Sequence, residues 1–350
     1  MATKETMRGQ YTRFRQWEEE KSALSVAAEL GSFLLLGAIL SSAQVFKSCA
    51  PFGVAAVAAT GAGLSGVFTL LGSLIGYLLL YGEGSGLHYA AACILTFGVA
   101  FASAESDLRQ KLWFMPAVAA LFCGVTSFVH YYSAGFRSAD VIFFFTEILL
   151  VAAATYCYQG AVEAQKQMDG ASSLAGLGQR QRAGVFALAG TVLIALSAIT
   201  LMGEFSLGRI AGAAFVMLAA RRGMNRGLLA GTFVGMALDL ASGKSYYYCM
   251  AFAISGLFAG YSWNRKKIWT ALTYGTVSFF VVLWTWEVGM RIGLIYEALA
   301  AMVLFLLLPK RVRAMGASML AVPKVQNLQW EQSGADDSTV IAVQLEMRRQ

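Results

Sequence analysis

Three carboxylates sit where a carboxylate is costly. Glu147 lies in "FFFTEILLVAAAT", Glu297 in "GLIYEALAAMVLF" and Asp239 in "GMALDLASG", the two glutamates each flanked by long apolar runs. An ionisable side chain inside a membrane segment loses its hydration, so it marks an ion or substrate path or a pair that locks helices together. In the locking role each carboxyl is protonated or paired with a helix-borne hydroxyl such as that of Thr146, Tyr156 or Tyr296. Asp239 lies near a segment end, where burial in a structural role or simple exposure is expected.

A fourth acidic site is of another kind. Asp336 and Asp337 stand in "GADDSTVIAVQL", where a short strand over Thr339 to Leu345 follows an aspartate pair of the type that binds metal. Alone, the pair lacks the further carboxylates from distant strands that a catalytic metal needs. His88 and His130 have no carboxylate or cysteine at ligand spacing and are expected at opposite membrane faces. Cys49, Cys93, Cys123, Cys157 and Cys249 lie in or beside apolar runs without CxxC spacing, so they read as small hydrophobes. No Walker, GxSxG, HExxH or Rossmann pattern occurs, and nothing assembles a catalytic site.

The elements that would position these residues are membrane helices. Hydrophobic residues make up 57% of the 350-residue chain and charged residues 13%, which excludes an ordinary water-soluble domain. The net charge of +7 is spread over short gaps rather than gathered on a soluble face, which argues against nucleic acid as a partner. A span needs roughly 20 apolar residues. About twelve segments are expected, near 27–46, 50–62, 64–81, 87–104, 113–132, 140–160, 184–202, 207–219, 227–241, 246–262, 268–287 and 290–309. Segments two and eight, and to a lesser degree nine, are too short to cross. Either all twelve cross or the pairs two/three and eight/nine are re-entrant, leaving eight crossings. Fusing eight with nine would bury Arg221, Arg222 and Arg226 at about 2.5–3.5 kcal/mol each.

Placing the amino terminus inside leaves Lys47, Arg137, Arg209, Lys244 and Arg291 outside and nineteen basic residues inside, the bias of a positive-inside protein with both termini cytoplasmic. A shift of 159 residues sets Gly53 on Gly212, Gly72 on Gly231, Gly76 on Gly235, Gly84 on Gly243 and Tyr89 on Tyr248; a shift of 150 sets Glu147 on Glu297. The expected organisation is an all-α polytopic membrane protein of two parallel six-segment repeats. A cytoplasmic amphipathic head spans 1–26, repeat one 27–160, a linker 161–183, repeat two 184–313 and a mostly disordered cytoplasmic tail 314–350. The glycine pairs at spacing four are expected to pack helices closely.

The stretches "CAPFGVAAVAA", "LLGSLIGYLLLYGEGSGLHYAAACIL" and "YEALAAMVLFLLLPKR" resemble the amino-terminal membrane region of the stage II sporulation protein E family, over about residues 25 to 313. The resemblance implies a multispanning anchor in the bacterial cell membrane, placed at the asymmetric septum of endospore formers, self-associating and contacting cell-division proteins. Full-length members carry a regulatory segment and a manganese- or magnesium-dependent PP2C-type phosphatase behind the anchor, and "ADDSTVIAVQL" is similar to its final strand. Here only Ala314 to Ser333 separate the last segment from that ending, too few residues for a phosphatase core. The expectation is therefore an anchor without cofactor or catalytic residues. The alternative is a small-solute transporter or channel using Glu147 and Glu297.

Overall fold

The computed structural model describes residues 23–308 apart from 47, 134, 136, 169–176, 202–204, 244–246 and 286–292. The head before residue 23, the tail with Asp336 and Asp337, and the strand expected over 339–345 lie outside the described residues. Within them the chain is almost wholly helical: α1 (Ala23–Ser41), α2 (Phe52–Thr60), α3 (Leu64–Gly82), α4 (Gly84–Ala102), α5 (Phe114–Ser133), α6 (Ser138–Met168) and α7 (Gln179–Ala198). There follow a two-residue hairpin, β1 (Thr200–Leu201) and β2 (Phe205–Ser206), then α8 (Leu207–Ala220), α9 (Met224–Ser242), α10 (Tyr247–Tyr261), α11 (Lys267–Trp284) and α12 (Gly293–Leu307). Six helices, α3 to α7 and α11, are long and apolar enough to cross a membrane.

The gap expected between the third and fourth segments is not an open loop. Helical hydrogen bonding continues from Leu64 to Ala102, and the chain reverses at Gly82, whose φ of 63° suits a residue without a Cβ. The reversal is tight enough to stack the rings of Tyr77 and Tyr89, 5.1 Å between centroids, although twelve residues separate them in sequence. A straight helix would hold them roughly 18 Å apart. The two helices therefore form an antiparallel hairpin.

Side-chain size runs opposite to a water-soluble core. Leu79, Phe101, Leu121, Ile142, Leu149 and Trp284 face outward, whereas alanines, glycines and hydroxyl residues such as Thr69, Ser73, Ser127, Thr155, Ser255 and Thr270 are buried. Hydrocarbon solvates the large side chains as well as a protein core would, and small residues let backbones approach. A Cβ on Gly72 would overlap the Leu34 carbonyl of α1, one on Gly231 the Phe252 carbonyl of α10, and one on Gly227 the Gly256 carbonyl. The glycine pairs of α3 and α9 thus do the same work against different partners, α1 in one case and α10 in the other.

Among the described residues two large buried clusters and a small one, Ala164 with Leu177, result. One large cluster is built from α1–α6 with Ile194, Ala195 and Ala237, the other from α8–α12. Helix α7 packs on α6 and on α8 and α9, and so joins them. Beyond the end of α1 the chain turns through Val45–Cys49, and the Phe46 N–H donates to the Leu240 carbonyl of α9, a second tie between the clusters. In α2 every residue from Phe52 to Ala58 is buried. With nine residues α2 is about 14 Å long against an apolar core of about 30 Å, so it starts and ends inside protein.

The close α9–α10 approach makes Gly231→Val strongly destabilising, by about 2–4 kcal/mol from backbone overlap. Gly98→Ala, where a Cβ meets nothing within 4 Å, is expected to be neutral or to stabilise by up to about 1 kcal/mol. Thermal unfolding of both variants in detergent checks the contrast.

Candidate functional site

A helix that begins inside protein leaves its first N–H groups without intrahelical partners, in a place where water cannot serve them. Helices α2 and α8 both have this problem, and both solutions end on a glutamate. At α2, Pro51 removes one donor. The Ala50 N–H donates to Tyr89 Oη at 3.0 Å and the Gly53 N–H to Tyr77 Oη at 3.0 Å. Tyr77 Oη in turn donates to the Ala50 carbonyl at 2.6 Å. Tyr89 Oη donates to Glu147 Oε1 at 2.5 Å, Ser127 Oγ to Oε2 at 2.6 Å and Tyr131 Oη to Oε1 at 3.1 Å. Glu147 is 1% exposed, and its carboxyl gathers three hydroxyls from α4 and α5 around the mouth of α2.

At α8 the contact is direct. The Ser206 N–H donates to Glu297 Oε1 at 2.8 Å, and Arg209 Nη2 lies 2.9 Å from the same oxygen. Glu297 is 2% and Arg209 11% exposed at the side chain, so this is a buried ion pair. Arg209 Nη1 also donates to Tyr248 Oη at 3.0 Å. The backbone of Tyr248 closes the network from the other side. Its N–H and that of Cys249 donate to Asp239 Oδ1 and Oδ2 at 3.1 and 2.9 Å, so Asp239 caps the N-terminus of α10, where a negative charge meets the positive helix end. Asp239, Tyr248, Arg209 and Glu297 form one chain across α9, α10, α8 and α12.

The hydroxyls expected beside the glutamates, those of Thr146, Tyr156 and Tyr296, bond or pack elsewhere. Thr146 Oγ1 bonds the Ile142 carbonyl of its own helix, Tyr156 lies under the Arg180 guanidinium at the surface, and Tyr296 is exposed against Phe205. Residues adjacent on a helix point about 100° apart, so a buried glutamate and its sequence neighbour face different surroundings. The partners Ser127 and Tyr131 lie one helix back. Their spacing of four places both on one face of α5, the pattern that could have revealed them.

Arg209, counted by sequence among external loop charges, instead sits in the first turn of α8 and is committed to Glu297. His88 and His130, expected at opposite faces, are stacked at 4.4 Å between ring centroids. The helix reversal at Gly82 brings the start of α4 beside the end of α5. Among the described residues no group of three or more His, Cys, Asp or Glu could hold a metal ion.

Two cavities adjoin the second centre. One of about 10 Å³ lies between Arg209, Tyr274, Ser278 and Glu297, scarcely room for one water. The other, about 450 Å³, is an open cleft lined by Gln44, Ser197, Ser206, Arg209, Ser242 and Tyr248, where the two clusters meet. Comparison of the chain with protein-family models, with curated proteins and with solved structures gives no match.

Removing one member of the buried ion pair leaves the other charge unpaired. Glu297→Gln and Arg209→Met are each expected to destabilise by about 3–5 kcal/mol, and the double variant by clearly less than their sum. At the first centre Glu147→Gln keeps an acceptor oxygen and costs less than Glu147→Leu, which strands three hydroxyls at about 1–3 kcal/mol each. Denaturation midpoints in detergent for the five proteins check both orders.

Proposed function

We propose that the chain is a non-catalytic integral membrane anchor and localisation module of the stage II sporulation protein E type, held in a bacterial cell membrane with both termini in the cytoplasm. The observation that carries this reading is that Glu147 and Glu297, the two carboxylates best placed for transport chemistry, are both taken up by partners from the chain's own helices. A carboxylate satisfied in this way holds helices in register. A rigid, lipid-faced frame is what an anchor needs.

The two-copy organisation belongs to the same proposal, and matching packing supports it. Helix α2 lies against α3, α5 and α6 as α8 lies against α9, α11 and α12. In each half the last helix brings a glutamate to the buried start of the short one. The different partners of the two glycine pairs, α1 and α10, mark where the copies have diverged. Septal placement, self-association and contact with cell-division proteins are proposals that rest on the resemblance.

A fluorescent fusion of the chain in a sporulating cell is expected to gather at the asymmetric septum, and uniform circumferential fluorescence would sink the reading. Glu147→Leu is expected to reduce the amount of protein in the membrane rather than to redirect what remains, which quantitative imaging separates.

A transport reading has one observation of its own. The cleft of about 450 Å³ opens beside Arg209, at the start of a broken helix and between the two halves, where secondary transporters bind substrate. Flux in proteoliposomes that falls at least about tenfold in a Glu147→Gln/Glu297→Gln double variant would favour it. Equal flux, or none for any solute tried, would remove it.

A further inference from the structure

At one end of the helix bundle two turns separated by some forty residues are tied into one surface. Arg221, at the end of α8, donates from Nη1 to the Trp263 carbonyl at 2.9 Å, to the Arg265 carbonyl and to Thr270 Oγ1 at 3.4 Å. Its guanidinium therefore serves as a rivet between the α8–α9 turn and the α10–α11 turn. The turn that carries Arg221, Arg222 and Arg226 is thereby joined to the turn that carries Arg265, Lys266 and Lys267. Lys267 is turned inward, its Nζ donating to the Leu306 carbonyl of α12 at 2.9 Å. The other four basic side chains reach the surface, half-buried for Arg222 and Arg226 and exposed for Arg265 and Lys266. Among the described residues no acidic side chain pairs with any of them.

Four unneutralised cations on one tied surface repel one another. At Arg222, desolvation and then the neighbouring charge of Arg226 push the guanidinium pKa down. An anion with more than one negative oxygen would relieve both effects. What lies directly below selects among anions. Leu229, Ile268 and Leu272 are exposed on the adjoining helices, and Trp263 and Trp269 stand beside the cations, with the Arg265 guanidinium 5.9 Å from the Trp269 ring centroid. Indole rings prefer the headgroup level of a bilayer, and apolar helix faces below them accept acyl chains. A soluble phosphate would use only the cations, whereas a phospholipid uses the whole surface.

We propose that the joined α8–α9 and α10–α11 turns form a binding site for anionic phospholipid, with the headgroup phosphates on Arg222, Arg226, Arg265 and Lys266 and the acyl chains on the helix faces beneath. A diphosphate lipid, cardiolipin, fits two basic turns better than phosphatidylglycerol, and zwitterionic phosphatidylcholine fits least. The site does not depend on the anchor reading, since it asks only that the bundle lie in a membrane.

The test is native mass spectrometry of the full chain released from detergent with cardiolipin, phosphatidylglycerol or phosphatidylcholine, and with the Arg222→Gln/Arg226→Gln/Arg265→Gln/Lys266→Gln variant. An Arg109→Gln/Lys111→Gln variant removes two basic residues from a different turn. Retention in the order cardiolipin, phosphatidylglycerol, phosphatidylcholine is expected, with cardiolipin affinity falling roughly a hundredfold in the quadruple variant and less than about tenfold in the double one. Equal retention of the three lipids by the unaltered protein would overturn the site, whether or not the quadruple variant folds. So would a loss equal per charge removed, the double variant losing about the square root of the fold-change in the quadruple one, which would mean diffuse attraction, or full displacement by inorganic pyrophosphate or a polyglutamate peptide at concentrations comparable to the lipid.

Discussion

The arrangement depends on one requirement: a backbone N–H buried in an apolar surrounding must find an acceptor inside the protein. Helices α2 and α8 begin beside buried residues, so their first donors draw partners from the protein, even though an open cleft adjoins the start of α8. The chain answers with tyrosines and a carboxyl at α2 and with a carboxylate and an arginine at α8. Once these partners are needed at those places, the helices that carry them are constrained. Helix α4 must return beside α3 to deliver Tyr89, α5 must present Ser127 and Tyr131 together, and α6 and α12 must each pass a short helix at its first turn.

Close backbone approach is what makes these positions reachable. Each hydrogen bond at the two centres joins different elements of the chain, and the side chains involved are of ordinary length. Glycine and alanine at the α1–α3 and α9–α10 contacts remove the bulk that would hold axes apart. The outward leucines and phenylalanines contribute little to this packing, because in hydrocarbon there is no gain from hiding them. Stability in such a protein rests on fit and on polar pairing, and the two centres supply the pairing.

The two centres share a design and differ in chemistry. The first is a hydroxyl cluster around Glu147 and carries no cation; the second sets Glu297 against Arg209 and extends through Tyr248 to Asp239. Tyr89 and Tyr248, matched by the internal alignment, occupy comparable stations. One mediates between a helix start and a glutamate, the other between an arginine and a capping aspartate. The open cleft adjoins the centre that carries the arginine.

Sequence alone determined the helical, membrane-like class and singled out Glu147, Glu297 and Asp239 as carboxylates within apolar runs, all three of which are buried, because apolar run length and misplaced charge are local signals. Of the aligned glycines, Gly53, Gly72, Gly76, Gly212, Gly231 and Gly235 prove to be close contacts, whereas Gly84 meets nothing within 4 Å. Tertiary structure alone decided the partners. Arg209 looked like an external loop charge because its solvent exposure depends on a hairpin and a helix start that hydropathy cannot register. His88 and His130 meet because α4 begins and α5 ends at the same end of the bundle, and which ring faces which is set by the packing of the two helices. Burial energy scales with composition and can be read along a chain, whereas a hydrogen bond requires two atoms to meet. Which residues meet is fixed only when the helices have packed.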